Sequence, residues 1–422
     1  QTTLNSSDII DGGAGADTLI VNMTGATYNG GARIKNIETL QIGTNQAAAT
    51  FDYNVNAGSN EVTEVTTIVA DQITAGETLN VVNITPTATG TTIPTLHWAN
   101  ENGSAAGIAG ATYRQASIAG TADNQNIILE NVTNGDLNIA RGIETITVTS
   151  SGTVAANTLV SADAADGTAV DLVSETLAGN GVADDSTLTK VVVKGEKAFG
   201  TAAAVVTNDT AAETAYGLTN RAANGALDNG VAGNGQASTA SNLVSVAATV
   251  TEIDATEANG GVAMRFTSRV DNAAVNVTFK GGKAADYIES VRGNINATGG
   301  EGADTFAFLN GNLTNFDFGS ADSLTGGAGS DTIQLGVNGN GTVVANTTEF
   351  NNKTGIDALD LRGAVNTVTL ADAFVAGADA GTFTVRTDKI VQTSGSSTAN
   401  TTPSNATNNA GLENASVNTV VL

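Results

Sequence analysis

One short template constrains this chain more than any other feature. Four segments follow G-G-x-G-x-D-x-U, where U is apolar: Gly12-Gly13-Ala-Gly15-Ala-Asp17-Thr-Leu, Gly281-Gly-Lys-Ala-Ala-Asp286-Tyr-Ile, Gly299-Gly300-Glu-Gly302-Ala-Asp304-Thr-Phe and Gly326-Gly327-Ala-Gly329-Ser-Asp331-Thr-Ile. The second copy carries Ala284 in place of the third glycine. The steps from Gly281 to Gly299 and from Gly299 to Gly326 are 18 and 27 residues, both multiples of nine. Two degraded copies keep the acidic and apolar positions in frame: Asp317-Phe-Gly-Ser-Ala-Asp322-Ser-Leu and Thr3-Leu-Asn-Ser-Ser-Asp8-Ile-Ile. A fixed short period marks a repeat architecture, in which each unit buries its apolar face only against its neighbours.

The rest of the chain agrees with stacked strands. Thr18-Leu-Ile-Val-Asn22, Ile143-Glu-Thr-Ile-Thr-Val148, Lys190-Val-Val-Val-Lys194, Val275-Asn-Val-Thr-Phe279 and Thr382-Phe-Thr-Val-Arg386 are short, β-branched runs. Many of them alternate, and Gly, Asn or Asp bound them, which is the pattern of strands. Aromatic residues make up only 4% of the chain, and much of its apolar content is Ala and Val. A core of small side chains suits stacked strands better than a bulky interior. The predicted fold is all-β: an elongated parallel β-solenoid or β-roll with a few loop or short-helix insertions. The predicted division is solenoid over 1–198, an insertion or linker over 199–245, solenoid with the repeats over 246–345, and strands with a polar tail over 346–422. A short helix is predicted within Thr210 to Leu227, and Thr393 to Asn409 reads as loop or tail.

Each repeat joins a turn to a strand. The eighth position can point inward, because side chains alternate along a strand. The glycines allow backbone conformations that other residues resist. Backbone carbonyls then converge with the Asp carboxylate, and hard oxygen donors without Cys or His are the set that calcium takes. The candidate calcium residues are therefore Gly12, Gly13, Gly15, Asp17 and Asp8 at the N-terminus, then Gly281, Asp286, Gly299, Gly300, Gly302, Asp304, Asp322, Gly326, Gly327, Gly329 and Asp331. If two nonamers make one coil, turns 18 residues apart share an edge. That counting puts Asp286, Asp304 and Asp322 on one edge and Asp331 on the other. It likewise puts Asp8 and Asp17 on opposite edges.

Charge and composition narrow the function. The chain carries 42 acidic against 17 basic residues, one His and no Cys, for a formal net charge of −25. The charge disfavours nucleic acid and anionic membrane surfaces as partners and favours a divalent cation. The missing Cys and lone His remove thiol chemistry, Cys-zinc sites and multi-His metal sites. No apolar run approaches the ~20 residues of a membrane-spanning helix. Without an initiator Met or signal peptide at Gln1, the chain reads as an excised or processed piece.

The G-G-x-G-x-D-x-U segments resemble the calcium-binding nonapeptides of RTX proteins, which leave Gram-negative cells by type I secretion. Two further motifs, Ile37-Glu38-Thr39-Leu40 and Ile143-Glu144-Thr145-Ile146, and the run from Thr251 to Val262 ahead of a repeat, extend the likeness. The arrangement is similar to that of bacterial surface-layer proteins of the Caulobacter and Campylobacter kind, where Thr/Ala/Asn-rich solenoids are interrupted by such repeats. The texture covers nearly the whole chain, whereas the diagnostic repeats cover only residues 3–22 and about 272–335. The resemblance implies an extracellular, non-enzymatic structural protein. It would form a two-dimensional lattice with copies of itself and meet cell-surface polysaccharide through a part absent from this chain. A secreted RTX adhesin or biofilm protein is the alternative.

The remaining motifs have blander readings. Glu38 and Glu144 are read as outward strand residues, or as bonding a neighbouring coil, rather than as catalytic carboxylates, since no His or Cys accompanies them. His97-Trp98 reads as surface or loop packing. Tyr53, Tyr113 and Tyr216 are too scattered to stack bases. Asn131-Val-Thr133 and similar triplets follow from composition and imply no glycosylation. Asn418-Thr-Val-Val-Leu422 fits either a secretion-signal end or a last strand.

Overall fold

The computed structural model describes residues 4, 6–53, 64–85, 93–101, 105–114, 118–139, 142–159, 188–201, 244–245, 250–267, 276–292, 294–308, 318–336, 342–361, 365–378, 382–386 and 417–421. Strands dominate, and they pair in parallel along the described chain. A long sheet of twelve strands starts at Thr18–Met23 and ends at Lys353–Thr354. Between them its order is Thr39–Thr44, Thr67–Asp71, Thr95–Ala99, Asn124–Glu130, Thr145–Ser151, Lys190–Gly195, Glu252–Ala258, Asn276–Lys280, Asn294–Glu301 and Ser323–Ala328. The opposite wall is built of shorter sheets. Five strands run from Thr27–Tyr28 to Asp136–Ile139, and seven run from Val244–Ser245 to Thr384–Arg386. The chain therefore passes from wall to wall and stacks one coil on the next, a parallel β-solenoid, with a further three-stranded sheet of Thr342–Ala345, Val365–Thr369 and Val417–Val421 in the C-terminal coils.

Alternation along each strand explains the packing. Thr145–Ser151 alternates half-buried and buried residues, with Ile146 and Val148 at or below 1% exposure. Ile146 pairs in register with Val191 on one side and Gln125 on the other, and Val191 pairs with Ile253. Each strand thus adds one residue to an inward column shared by successive coils. Complete burial of such a side chain contributes about 1.5–3 kcal/mol, so the apolar columns hold the coils together. The eighth repeat position behaves as its alternation predicts: Ile288, Phe306 and Ile333 are all buried.

The long sheet pairs Lys190–Gly195 directly with Glu252–Ala258, on either side of the proposed insertion. Both walls continue past residue 345, through Lys353–Thr354 and Ala358–Leu361. One feature departs from the sequence reading. The C-terminal core is not made of small side chains alone. Phe308, Phe318, Phe350, Phe374 and Phe383 form a chain of ring contacts with centroids 4.8–5.2 Å apart. The predicted helix within 210–227 and the tail at 393–409 lie outside the described residues. Val417–Val421 forms a strand paired with Val365–Thr369.

Asparagine has a clear backbone role. Asn36, Asn83, Asn131, Asn134 and Asn352 all have φ between 54° and 62°. Asn tolerates this left-handed region better than most residues, so it serves at coil corners. Asn131 also holds the next corner. Its buried side chain accepts from the Thr153 and Val154 amides and donates to the Asn100 carbonyl, at 2.6, 3.2 and 3.1 Å.

Candidate metal centre

The repeat turns build a ladder of carboxylates along one edge. Asp304 Oδ1 accepts from the Asp286 amide at 2.8 Å, and Asp331 Oδ1 accepts from the Asp304 amide at 2.8 Å. Asp286 Oδ1 accepts from the Val262 amide at 2.7 Å, and Asp357 Oδ2 accepts from the Asp331 amide at 3.0 Å. Each acidic residue thus secures the backbone of the coil before it. All four carboxylates are at most 3% exposed. Burial pushes the carboxyl pKa of both Asp286 and Asp304 up to about 7, well above the ordinary carboxylate range.

The glycines open a cradle beside three of these carboxylates, Asp286, Asp304 and Asp331. A methyl on Gly299 would overlap both Asp304 Oδ2 and the Gly326 carbonyl oxygen. A methyl on Gly281 would overlap the Gly299 carbonyl and approach Asp286 Oδ2, and one on Gly326 would overlap the Gly355 carbonyl and Asp331 Oδ2. A carboxylate oxygen and the next coil's carbonyl oxygen therefore converge where only glycine leaves room. Asp304 Oδ2 is buried and has no hydrogen-bond donor. Gly300, Gly302, Gly327 and Gly329 have φ of 104°, 117°, 111° and 147°, conformations unfavourable to L side chains. The copy with Ala284 is different: neither Gly281 nor Gly282 takes a positive φ.

The edges are not distributed as the nine-residue counting predicts. Asp331 stacks on Asp304, so the 27 residues from Gly299 to Gly326 form one coil. Asp322 instead precedes the long-sheet strand Ser323–Ala328 on the opposite edge, where its Oδ1 accepts from the Ile295 amide at 2.9 Å. A coil can take extra residues into a corner loop without disturbing its ladder, and this breaks a strict period. Asp286 and Asp304 share an edge as expected.

Asp357 is the residue that the repeat template missed. Its turn, Thr354-Gly355-Ile356-Asp357, keeps one glycine, the Asp and a following apolar strand. The signal was the position of Asp357, one coil after Asp331 and directly before Ala358–Leu361.

At the N-terminus, Asp8 precedes Ile9–Asp11, which pairs with Arg33–Lys35, whereas Asp17 precedes the first strand of the long sheet. The two lie on opposite edges, as the spacing predicts. Around Asp17 the cradle recurs: a methyl on Gly12 would overlap the Asn36 carbonyl and the Asp17 side chain. Gly13 and Gly15 take φ of 92° and 136°. Asp17 Oδ2 is buried without a hydrogen-bond donor. Glu38 accepts from the Asp17 amide at 2.7 Å, and Glu144 accepts from the Asp123 amide at 2.8 Å. Both glutamates thus bond the preceding coil, just as the repeat aspartates do.

The Asp322 turn is furnished differently. Gly319 donates its amide to Asp322 Oδ2 at 2.7 Å. Lys353 sends its ammonium to the carbonyls of Gly319, Asp322 and Asn351 at 2.6, 2.8 and 3.1 Å. Burial raises the Asp322 carboxyl pKa, and burial pulls the Lys353 ammonium down to about 8, which leaves it charged at neutral pH.

Other residues singled out by the sequence have structural places. Trp98 is buried against Gly135, not in a loop, while neighbouring His97 meets Glu130 Oε2 at 2.9 Å across the sheet. Tyr53 and Tyr113 are buried, and Tyr216 lies outside the described residues. Asn131 is buried as well. No helix among the described residues is long and apolar enough to cross a membrane.

Fold and turn geometry together define an all-β protein of the parallel solenoid type, with a carboxylate ladder along one edge. No family model, curated protein or solved structure matches the chain.

Proposed function

We propose that this chain is a calcium-dependent structural protein of the bacterial cell surface that assembles with copies of itself into a two-dimensional layer. The observation that carries the calcium reading is the convergence, at Gly281, Gly299 and Gly326, of a buried carboxylate oxygen with the next coil's carbonyl oxygen. That donor set is all hard oxygen, which suits Ca2+. Asp286, Asp304, Asp331 and Asp357, with the carbonyls of Gly299, Gly326 and Gly355, would hold ions on one edge. Asp17 and the Asn36 carbonyl would do so near the N-terminus. Bound calcium would offset the charge of carboxylates that burial otherwise penalises, so ion binding becomes folding free energy. In a compartment poor in calcium the ion-free repeats are less stable and easier to export; outside the cell calcium locks them.

The resemblance to RTX surface-layer proteins supports assembly. Glu38 and Glu144 are committed to backbone bonds between coils, which supports a structural over a catalytic role for both. Negative-stain microscopy of the purified full chain, with and without millimolar calcium, tests the assembly. Ordered sheets are expected only with calcium. Monodisperse particles under both conditions would instead favour the RTX adhesin reading.

A further inference from the structure

We propose that the Lys353 ammonium is the resident cation of the Asp322 turn, so this turn takes a tethered positive charge where the opposite edge takes a metal. Lys353 stands in an inward column of the long sheet. It pairs in register with Leu324, which follows Ala297 and Phe279. An apolar residue belongs there, yet a lysine at 4% exposure occupies the place. Its chain runs along the Phe318 ring, with the nitrogen 4.9 Å from the ring centroid. Its ammonium then meets three backbone carbonyls, from Gly319, Asp322 and Asn351, at 2.6–3.1 Å.

An ammonium has three donors and no acceptor, and here all three find carbonyl oxygens of two stacked turns. Carbonyls gathered beside a buried carboxylate are the donors a calcium ion would take. The lysine satisfies those oxygens and supplies the positive charge. A second cation at the same oxygens would meet its repulsion, so the Asp322 turn is closed to metal. The two edges of the roll then differ in kind. One locks on calcium, while the other locks whenever the chain folds and can hold the last coils in register before any ion arrives. This inference rests on the calcium reading only for that contrast.

Chemical rescue tests it. Lys353→Ala in the full chain, with calcium present, is expected to melt roughly 5 °C or more below the unsubstituted chain, because the buried Asp322 carbonyl and the partly buried Gly319 and Asn351 carbonyls lose their donor. Millimolar propylammonium should restore part of that loss, and propanol of the same size should not. Should Lys353→Ala fail to fold, refolding yield with propylammonium against propanol replaces the melting readout. Calcium stoichiometry supplies a second arm: Asp322→Asn should bind as many ions as the unsubstituted chain. Equal rescue by propanol, an unchanged melting temperature, or the loss of one ion in Asp322→Asn would each overturn the proposal. If the unsubstituted chain binds no calcium at all, the calcium reading fails while the propylammonium result still decides the role of Lys353.

Discussion

Replacing Phe350 by Ala is expected to destabilise the C-terminal coils by about 3–5 kcal/mol, the usual cost of removing a buried aromatic side chain. Phe350 is 3% exposed and touches Phe318 on one side and Phe374 on the other, with centroids 5.2 and 4.8 Å away. Its loss breaks the line of rings that joins the last coils. Urea unfolding followed by far-UV circular dichroism measures the effect. Trp98 provides an internal comparison, since it is the only tryptophan and lies in the N-terminal coils. Coils contact only their neighbours, so the Trp98 fluorescence midpoint should move less than the dichroism midpoint. An unchanged dichroism midpoint would show that the aromatic line holds nothing.

Asp304→Ala and Asp304→Asn are expected to separate the two duties of one carboxylate. Asp304 Oδ1 secures the Asp286 amide, and Oδ2 faces the Gly326 carbonyl side of the cradle. Alanine removes both and leaves a buried amide without a partner, at a cost of about 1–3 kcal/mol with or without calcium. Asparagine retains an acceptor for the amide and carries no charge. In chelator at pH 8, Asp304→Asn should therefore be at least as stable as the unsubstituted chain. With calcium it should gain less, because a ligand charge is gone. Melting curves of both variants in calcium and in chelator check this. An Asp304→Asn variant that responds to calcium as fully as the unsubstituted chain would remove Asp304 from the ion sites.

Much of this architecture was legible in the residues. Lys190-Val-Val-Val-Lys194 could hardly be anything but a strand, and the apolar residue two places after each repeat aspartate could only face the core. The backbone path of the turns was legible too, because Gly-Gly-x-Gly permits conformations that few other sequences allow. What the period could not reveal was which edge each turn occupies. Counting in nines assumes that every coil has the same length, yet Asp331 stacks on Asp304 after 27 residues and Asp322 falls to the other side. Corner loops vary freely in length while the strand ladders keep register, so the ladder and not the count decides.

Asp357 escaped for a related reason: its turn has lost the glycine pair but kept the Asp that bonds the preceding coil. Lys353 was invisible because its meaning depends on a column of residues from distant coils, and nothing local marks it. Glu38 and Glu144 were legible only as alternatives. The spacing allowed an outward or a coil-bonding role, and only the stacked Asp17 and Asp123 amides decide for the second.

The proposed binding of calcium to the carboxylate ladder is tested most directly by the melting temperature of the full chain at pH 8, in excess calcium and in chelator. Burial raises the Asp286 and Asp304 pKa values to about 7. Without a cation, the stability that goes with their protonated forms is therefore present in acid and lost as pH rises through about 7. At pH 8 both carboxylates are charged, and the ion-free fold bears the full penalty. Calcium at a hundredfold excess over its Kd should add about 2.7 kcal/mol for each site it fills. The expected result is a melting temperature more than about 10 °C higher in calcium than in chelator at pH 8, with the gap narrowing at pH 5, where protons do part of the ions' work. Identical melting at pH 8 with and without calcium would contradict it.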